Sequence, residues 1–205
     1  MNRTKLVFFV FCFILNFFAN AQPWKERGPI QVSKENPHYL SYLDGTPFFW
    51  LADTGWEMLH RLNRNEIEIY LENRRQKGFN VIQNVIISEF IHMDKATNFY
   101  GDSIFRNENP EKPLLTKGNN PQNAAEYDFW DHVDYAIETA ASKGLYMALV
   151  PSWGEWITPR TDKALFNTKE QAYSYGWFLG YRYKNSPNII DRKSTRLNSS
   201  HITIS

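Results

Sequence analysis

Between Asn63 and Ile190, stretches in which apolar residues recur every three or four positions alternate with short unbroken apolar runs. The first periodic stretch opens at Asn63, three residues before Glu66, with Leu62 and Ile67 at the positions of a hydrophobic staple, and this predicts a capped helix start. Ile67, Tyr70 and Leu71 share a face of that helix, and Gly78, after Arg74, Arg75 and Lys77, marks its C-terminal stop. The run FNVIQNVII that follows is too short and too rich in branched residues for another helix, so it predicts a strand. The grammar then repeats. Asp128 and Asp131 can cap a helix lined on one side by Phe129, Val133, Ile137 and Ala140; it ends in SKG and feeds the strand LYMALV. The third helix is capped by Thr168 with Gln171, carries Ala172, Leu179 and Tyr183, and ends at KNSPNII, where another strand begins.

Ahead of these units lie a short strand, PIQVS, and a hairpin, HYLSYLDGTPFFWLA, with Asp44-Gly45 as the turn dipeptide. The second hairpin arm, running into Leu51 and Ala52, serves as the first strand of the series. Strand, helix, strand, helix, strand, helix, strand is a parallel βα succession, which needs covered, right-handed crossovers. A doubly wound sheet would carry a glycine-rich fingerprint after its first strand, and ADTGWEML lacks the G-x-G-x-x-G spacing. The expected fold class is therefore α/β, a (β/α)8 TIM barrel. Residues 22–190 fall short of the roughly 250 that eight units need, so the barrel is expected to be truncated after about three βα units and the start of strand four.

The two ends of the chain are set apart by composition. Arg3 and Lys5, the apolar run from Leu6 to Phe18 and the sequence ANA form the pattern of a secretory signal peptide, which places the mature start at Gln22 and implies a secreted or periplasmic protein. That run is shorter than the roughly 20 residues needed to cross a bilayer, so no membrane anchor is expected once residues 1–21 are removed. Cys12, the one cysteine, leaves with them, which excludes a cysteine nucleophile and disulfide staples from the mature protein. From Asp191 the chain reads DRKSTRLNSSHITIS, a polar stretch without periodicity that resembles a translated sequencing-adapter tail; residues 191–205 are expected to be non-native.

Charge excludes one class of partner. The 23 Lys and Arg residues face 22 Asp and Glu, with no basic stripe, so nucleic acid is not an expected partner. Aromatic content of 16% favours a ligand with flat apolar faces, such as carbohydrate. His60, His92 and His132 have no metal-ligand spacing, Asp131 beside His132 is read as a helix surface pair, and neither metal nor cofactor is expected.

In a parallel barrel, side chains at the carboxyl ends of the strands converge on one mouth. Asp53, Trp56 and Glu57 leave the first strand; Gln83, Asn84 and Glu89 end or follow the second; Trp153 and Glu155 follow the third in PSWGEW. These are the candidate substrate-binding residues, with Asp53 and Trp56 assigned to the ring of a carbohydrate-like ligand at the mouth. Each has a plainer alternative. Asp53 can cap its own turn, Trp56 can be core, Gln83 and Asn84 point to opposite faces of one strand, and Glu89 and Glu155 can be solvated loop residues. The segment from Ser88 to Tyr127 is long for a βα loop and is expected to form a lid or a subsite wall, disorder being the alternative.

YLDGTPFFWLADTGWEML, YLENRRQKGFNVIQ, YDFWDHVDYAIETAASKGLYMALVPSWG and GWFLGYRYKNSPNII, in this order, resemble the N-terminal part of the apiosidase-like catalytic domain, the group containing glycoside hydrolase family 140. The resemblance implies a secreted (β/α)8 barrel that hydrolyses plant-derived glycan with a carboxylate pair. In that family the fourth strand continues into a glycine-glycine-aspartate run and the second acid comes from a later strand. Asp191 opens the polar tail instead, so the resemblance assigns it no catalytic role, and the catalytic acids are expected beyond this chain. A non-catalytic carbohydrate-binding domain derived from such a barrel is the alternative.

Overall fold

A computed structural model of the chain describes residues 22–88, 96–157 and 164–191. Residues 1–21, expected to be a signal peptide, residues 192–205, His92 and Glu89 lie outside the described residues. In chain order the elements are α1 (Pro23–Arg27), β1 (Ile30–Val32), β2 (Leu40–Tyr42), β3 (Pro47–Phe48), β4 (Ala52–Thr54), α2 (Met58–Arg61), α3 (Arg64–Gln76), β5 (Val81–Val85), α4 (Phe129–Ser142), β6 (Tyr146–Val150), α5 (Lys169–Tyr183) and β7 (Ile189–Asp191).

The strands form two sheets. β1, β2 and β3 make an antiparallel meander, with Ile30 opposite Tyr42 and Leu40 opposite Phe48. The predicted turn is there: the Thr46 amide donates to Asp44 Oδ1 at 2.8 Å, and Gly45 has φ 90°, a conformation that a Cβ would strain. The expected second arm, however, is two strands. After Phe48 the chain leaves the meander, because the Asn80 side chain donates to Phe49 O at 2.6 Å and accepts from Leu51 N at 2.9 Å, redirecting it into β4 of the other sheet.

The second sheet has the order β4-β5-β6-β7, all pairs parallel, with α3, α4 and α5 in the connections. It is a partial TIM barrel of four strands among the described residues. The register sorts its side chains by face. One row runs Thr54, Gln83, Ala148, Ile190 and its neighbour Ala52, Val81, Tyr146; the alternate rows contain Asp53, Ile82, Met147, Ile189 and then Asn84 beside Leu149. Val81, Tyr146 and Ala148 pack with Trp24, Ile30, Tyr42 and Phe48, so the N-terminal meander covers the lower inner face. Ile82, Met147 and Leu149 pack instead with Ile67 and Leu71 of α3 and Val133, Ala136 and Ile137 of α4. These two clusters are the barrel interior and the helix layer.

All three long helices carry the predicted capping boxes, at Asn63 with Glu66, Asp128 with Asp131 and Thr168 with Gln171. Each satisfies amides that have no partner within the helix. The buried face of α5 differs from expectation. Tyr175 and Tyr183 are buried and Leu179 packs on the core, but Ala172 is exposed: the inward position is taken one turn later by Tyr175, which donates its hydroxyl to Pro151 O at 2.8 Å.

The long segment between β5 and α4 contributes to the core as well as to the rim. Ala96, Ile104 and Phe105 are buried with α4 and α5, and Trp130 Nε1 donates to Ile104 O at 3.1 Å. His132 is a further correction. It is fully buried, not a surface partner of Asp131, with Nε2 3.0 Å from Leu62 O and Nδ1 3.1 Å from the Tyr127 hydroxyl. A neutral ring meets both contacts, donating to the carbonyl and accepting from the phenol.

Burial pushes the His132 pKa down to about 4, outweighing the contact with Leu62 O that raises it. The unfolded ring takes up its proton near pH 6.5, so stability present above that pH is lost as pH falls toward about 4. Asp131, pushed up to about 6 by burial and then by the Asp128 charge, acts in the opposite direction, contributing stability at low pH that is lost as pH rises through about 6. Replacing His132 by Gln removes the first effect and leaves the second. The fall in Tm between about pH 7 and about pH 5 is expected to be smaller in His132→Gln than in the wild type; equal falls would show that the ring does not titrate in this way.

Candidate functional site

The carboxyl ends of β4, β5 and β6 are tied together by short hydrogen bonds. Val85 N donates to Trp56 O at 3.2 Å and Trp153 N donates to Ile87 O at 3.1 Å, so the segments following β4 and β6 both attach to the end of β5. The two indoles meet edge to face, with ring centroids 5.1 Å apart and planes at 86°. Trp153 remains 42% exposed, and Trp56 is half-buried. Together they form a right-angled apolar corner open to solvent.

Glu57 is half-buried beside this corner and stands at the N-cap position of α2 without a side-chain capping bond. Its Oε1 accepts from the Ser88 hydroxyl at 3.2 Å, and Oε2 pairs with Arg61. Ser88 is 2% exposed, and its carbonyl accepts from Trp156 Nε1 at 3.0 Å. Glu155 is half-buried in the 3-10 turn Gly154–Trp156, between the exposed Trp153 and the buried Trp156. Gln83 is half-buried in the inner row with Thr54 and Ala148, one side-chain layer below the strand ends.

Asp53 and Asn84 sit elsewhere. Asp53 lies within β4, not beyond it, and its Oδ2 accepts from the Tyr70 hydroxyl at 2.8 Å and pairs with Arg74, both on α3. The carboxylate faces the helix layer, away from its expected place at the indole corner, and these side-chain partners also stand in place of the turn cap that is its plainer alternative. Tyr70 has its pKa pushed up to about 12, first by burial and then by the Asp53 hydrogen bond, so the phenol stays a donor at neutral pH. Asn84 is fully buried on the same side, its amide nitrogen 3.7 Å from Met147 Sδ. Gly55 makes this packing possible: a Cβ there would lie 3.0 Å from the Tyr70 hydroxyl oxygen and 3.3 Å from Asn84 Oδ1.

Asp53→Ala is therefore expected to act on stability, leaving Arg74 and Tyr70 half-buried without their acceptor. A loss of about 1–2 kcal/mol is expected, with ligand affinity kept. Denaturant unfolding and a binding titration on the same variant check this. Lost affinity at unchanged stability would return Asp53 to the binding site.

Among the described residues no group of three or more His, Cys, Asp or Glu side chains could hold a metal ion, and no helix is long and apolar enough to cross a membrane. Ser88, Arg61 and Trp156 were not singled out from the sequence. Trp156 stands in the PSWGEW motif and Ser88 directly follows a branched run, but only tertiary contact joins them.

Residues 34–199 match the family model described as apiosidase-like, catalytic domain. The chain belongs to this family. No curated protein matches the chain. Among solved structures, a glycoside hydrolase is 40% identical with a TM-score of 0.64, the match covering 83% of this chain and 34% of that one. A family 5 glycoside hydrolase from Bacteroides vulgatus is 38% identical with a TM-score of 0.64, covering 83% and 33%. A putative glycoside hydrolase from the same organism, at 15% identity and a TM-score of 0.52 over 82% and 32%, shares the fold. The apiosidase-like chain thus spans about a third of the solved relatives it matches and has a partial barrel of glycoside hydrolase type.

Proposed function

We propose that this chain is the N-terminal part of an exported (β/α)8 glycoside hydrolase acting on plant-derived glycan, with Trp56, Glu57, Gln83, Trp153 and Glu155 lining one wall of its substrate mouth. The observation that carries the proposal is the Trp56–Trp153 corner at the ends of two parallel strands, in a chain of the apiosidase-like family. An exposed indole meets the apolar C–H face of a sugar ring, while nearby polar groups hold its hydroxyls. Glu89, expected from the sequence to line the same wall, lies outside the described residues.

Glycoside hydrolysis needs two carboxyl groups, about 5–5.5 Å apart for retention or about 6.5–9.5 Å for inversion. Glu57 is engaged by Arg61 and Ser88, which suits it to holding structure or a hydroxyl better than to moving a proton. The catalytic pair is accordingly assigned to later strands of the intact protein, and residues 1–21 to its export signal. Residues 191–205 are proposed to be non-native on their composition alone, since the family match runs to residue 199 and Asp191 pairs with Leu149 in β7; a continuous natural reading frame encoding them would contradict this.

Reducing-sugar release from plant cell-wall glycans tests the function. The intact protein is expected to release sugar and the 205-residue chain to release none, since among the described residues its parallel sheet has four strands with an edge at either end. Binding without hydrolysis by the intact protein would make it a carbohydrate-binding barrel, and turnover by the 205-residue chain would place the catalytic pair within it.

A further inference from the structure

We propose that Ser88 is a positioning residue that fixes the angle of the Trp56–Trp153 corner by joining the segments that follow β4, β5 and β6. Three observations meet at this residue. Its hydroxyl donates to Glu57 at 3.2 Å, and Glu57 directly follows Trp56. Its carbonyl accepts from Trp156, which closes the 3-10 turn capped by Trp153. It is 2% exposed and follows Ile86 and Ile87, both fully buried, so it sits on a rigid base.

Two further links between these segments among the described residues, Val85 N to Trp56 O and Trp153 N to Ile87 O, are backbone bonds that set distance along the strands. The Ser88 hydroxyl holds a side chain, and thereby the direction in which the segment after β4 leaves its strand. Glu57 has two opposed attachments. Its side chain is 14% exposed, while that of its other partner, Arg61, is 67% exposed. With the hydroxyl gone, the side chain of Glu57 is no longer tethered to the end of β5 and follows Arg61 outward. Trp56, one residue away, turns with it, and the indole pair opens.

The corner is the sugar-facing surface of the function proposed above, and the inference rests on that reading only for the consequence to binding. Its direct readout needs no ligand. Two indoles at this separation couple their transitions, giving a circular-dichroism couplet that Trp153→Phe removes. In the intact protein, Ser88→Ala is expected to lose most of that couplet, and Glu57→Met to lose it equally. The double variant should lose no more than either single one, because both remove the same Ser88–Glu57 bond. Glu57→Gln keeps an acceptor for the hydroxyl and is expected to keep the couplet. With plant cell-wall oligosaccharides as the probe, Ser88→Ala should weaken binding about fivefold, the worth of one hydrogen bond.

A couplet unchanged in Ser88→Ala, or additive losses in the double variant, would overturn the proposal. Should Ser88→Ala fail to fold, the contrast between Glu57→Met and Glu57→Gln decides it by the same signal: equal couplets in those two variants would overturn it. Failure of the wild type to bind any oligosaccharide, with the couplet behaving as expected, would count against the proposed function and leave the positioning role standing.

Discussion

Trp130→Ala is expected to destabilise the intact protein by about 3–5 kcal/mol and to detach the segment between β5 and α4 from the helix layer. Trp130 is fully buried in the first turn of α4. Its ring meets Phe129, Phe105, Tyr175 and Phe178, the last at a centroid distance of 4.7 Å and an interplanar angle of 74°. Truncation removes these contacts, leaves a cavity that the surrounding helices cannot close, and orphans the Ile104 carbonyl that accepts from Nε1. Phe105 and Ile104 reach the core through this contact, so proteolysis within residues 96–127 should accelerate in the variant. Trp130→Phe, which keeps most of the ring and loses the donor, should cost less. Denaturant melts with an unchanged midpoint in Trp130→Ala would show that the long segment is held by other contacts.

Trp153→Ala is expected to raise KM about tenfold, corresponding to about 1.4 kcal/mol, with kcat changed little. An apolar platform that meets the sugar equally in ground and transition states contributes uniform binding, which appears in KM. The ring is 42% exposed, so its removal creates no large internal cavity and the fold should survive. Trp153→Phe retains an aromatic face and should recover much of the affinity. A variant with normal KM and a lower kcat would place Trp153 at the reacting bond instead of at a binding wall.

Local chemistry explains why so much of the helix pattern was legible. Asn63 with Glu66, Asp128 with Asp131 and Thr168 with Gln171 each act across three residues, and all three form. The two-residue period likewise separated Gln83 from Asn84, now found on the inner row and in the helix layer. Features set by distant partners were not legible. Asn80 splits the hairpin arm from β4 through bonds to Phe49 and Leu51, and α3 captures Asp53 through Tyr70 and Arg74. A three-residue strand offers too little alternation to assign Asp53 to a face from sequence. The buried stripe of α5 was obscured because Tyr173, Trp177 and Tyr181 put aromatic residues on its exposed face as well. The Ser88 contacts draw on three separate strand ends, which no local pattern reveals.

The most direct test of the sugar-binding wall is a tryptophan-fluorescence titration of the intact protein with plant cell-wall oligosaccharides, run beside Trp153→Ala and Trp56→Phe. The expected result is a saturable change in the wild type whose midpoint moves to about tenfold higher concentration in Trp153→Ala, with a smaller shift in Trp56→Phe. A saturable change with the same midpoint in all three proteins would contradict the wall, since the sugar would then bind away from the corner.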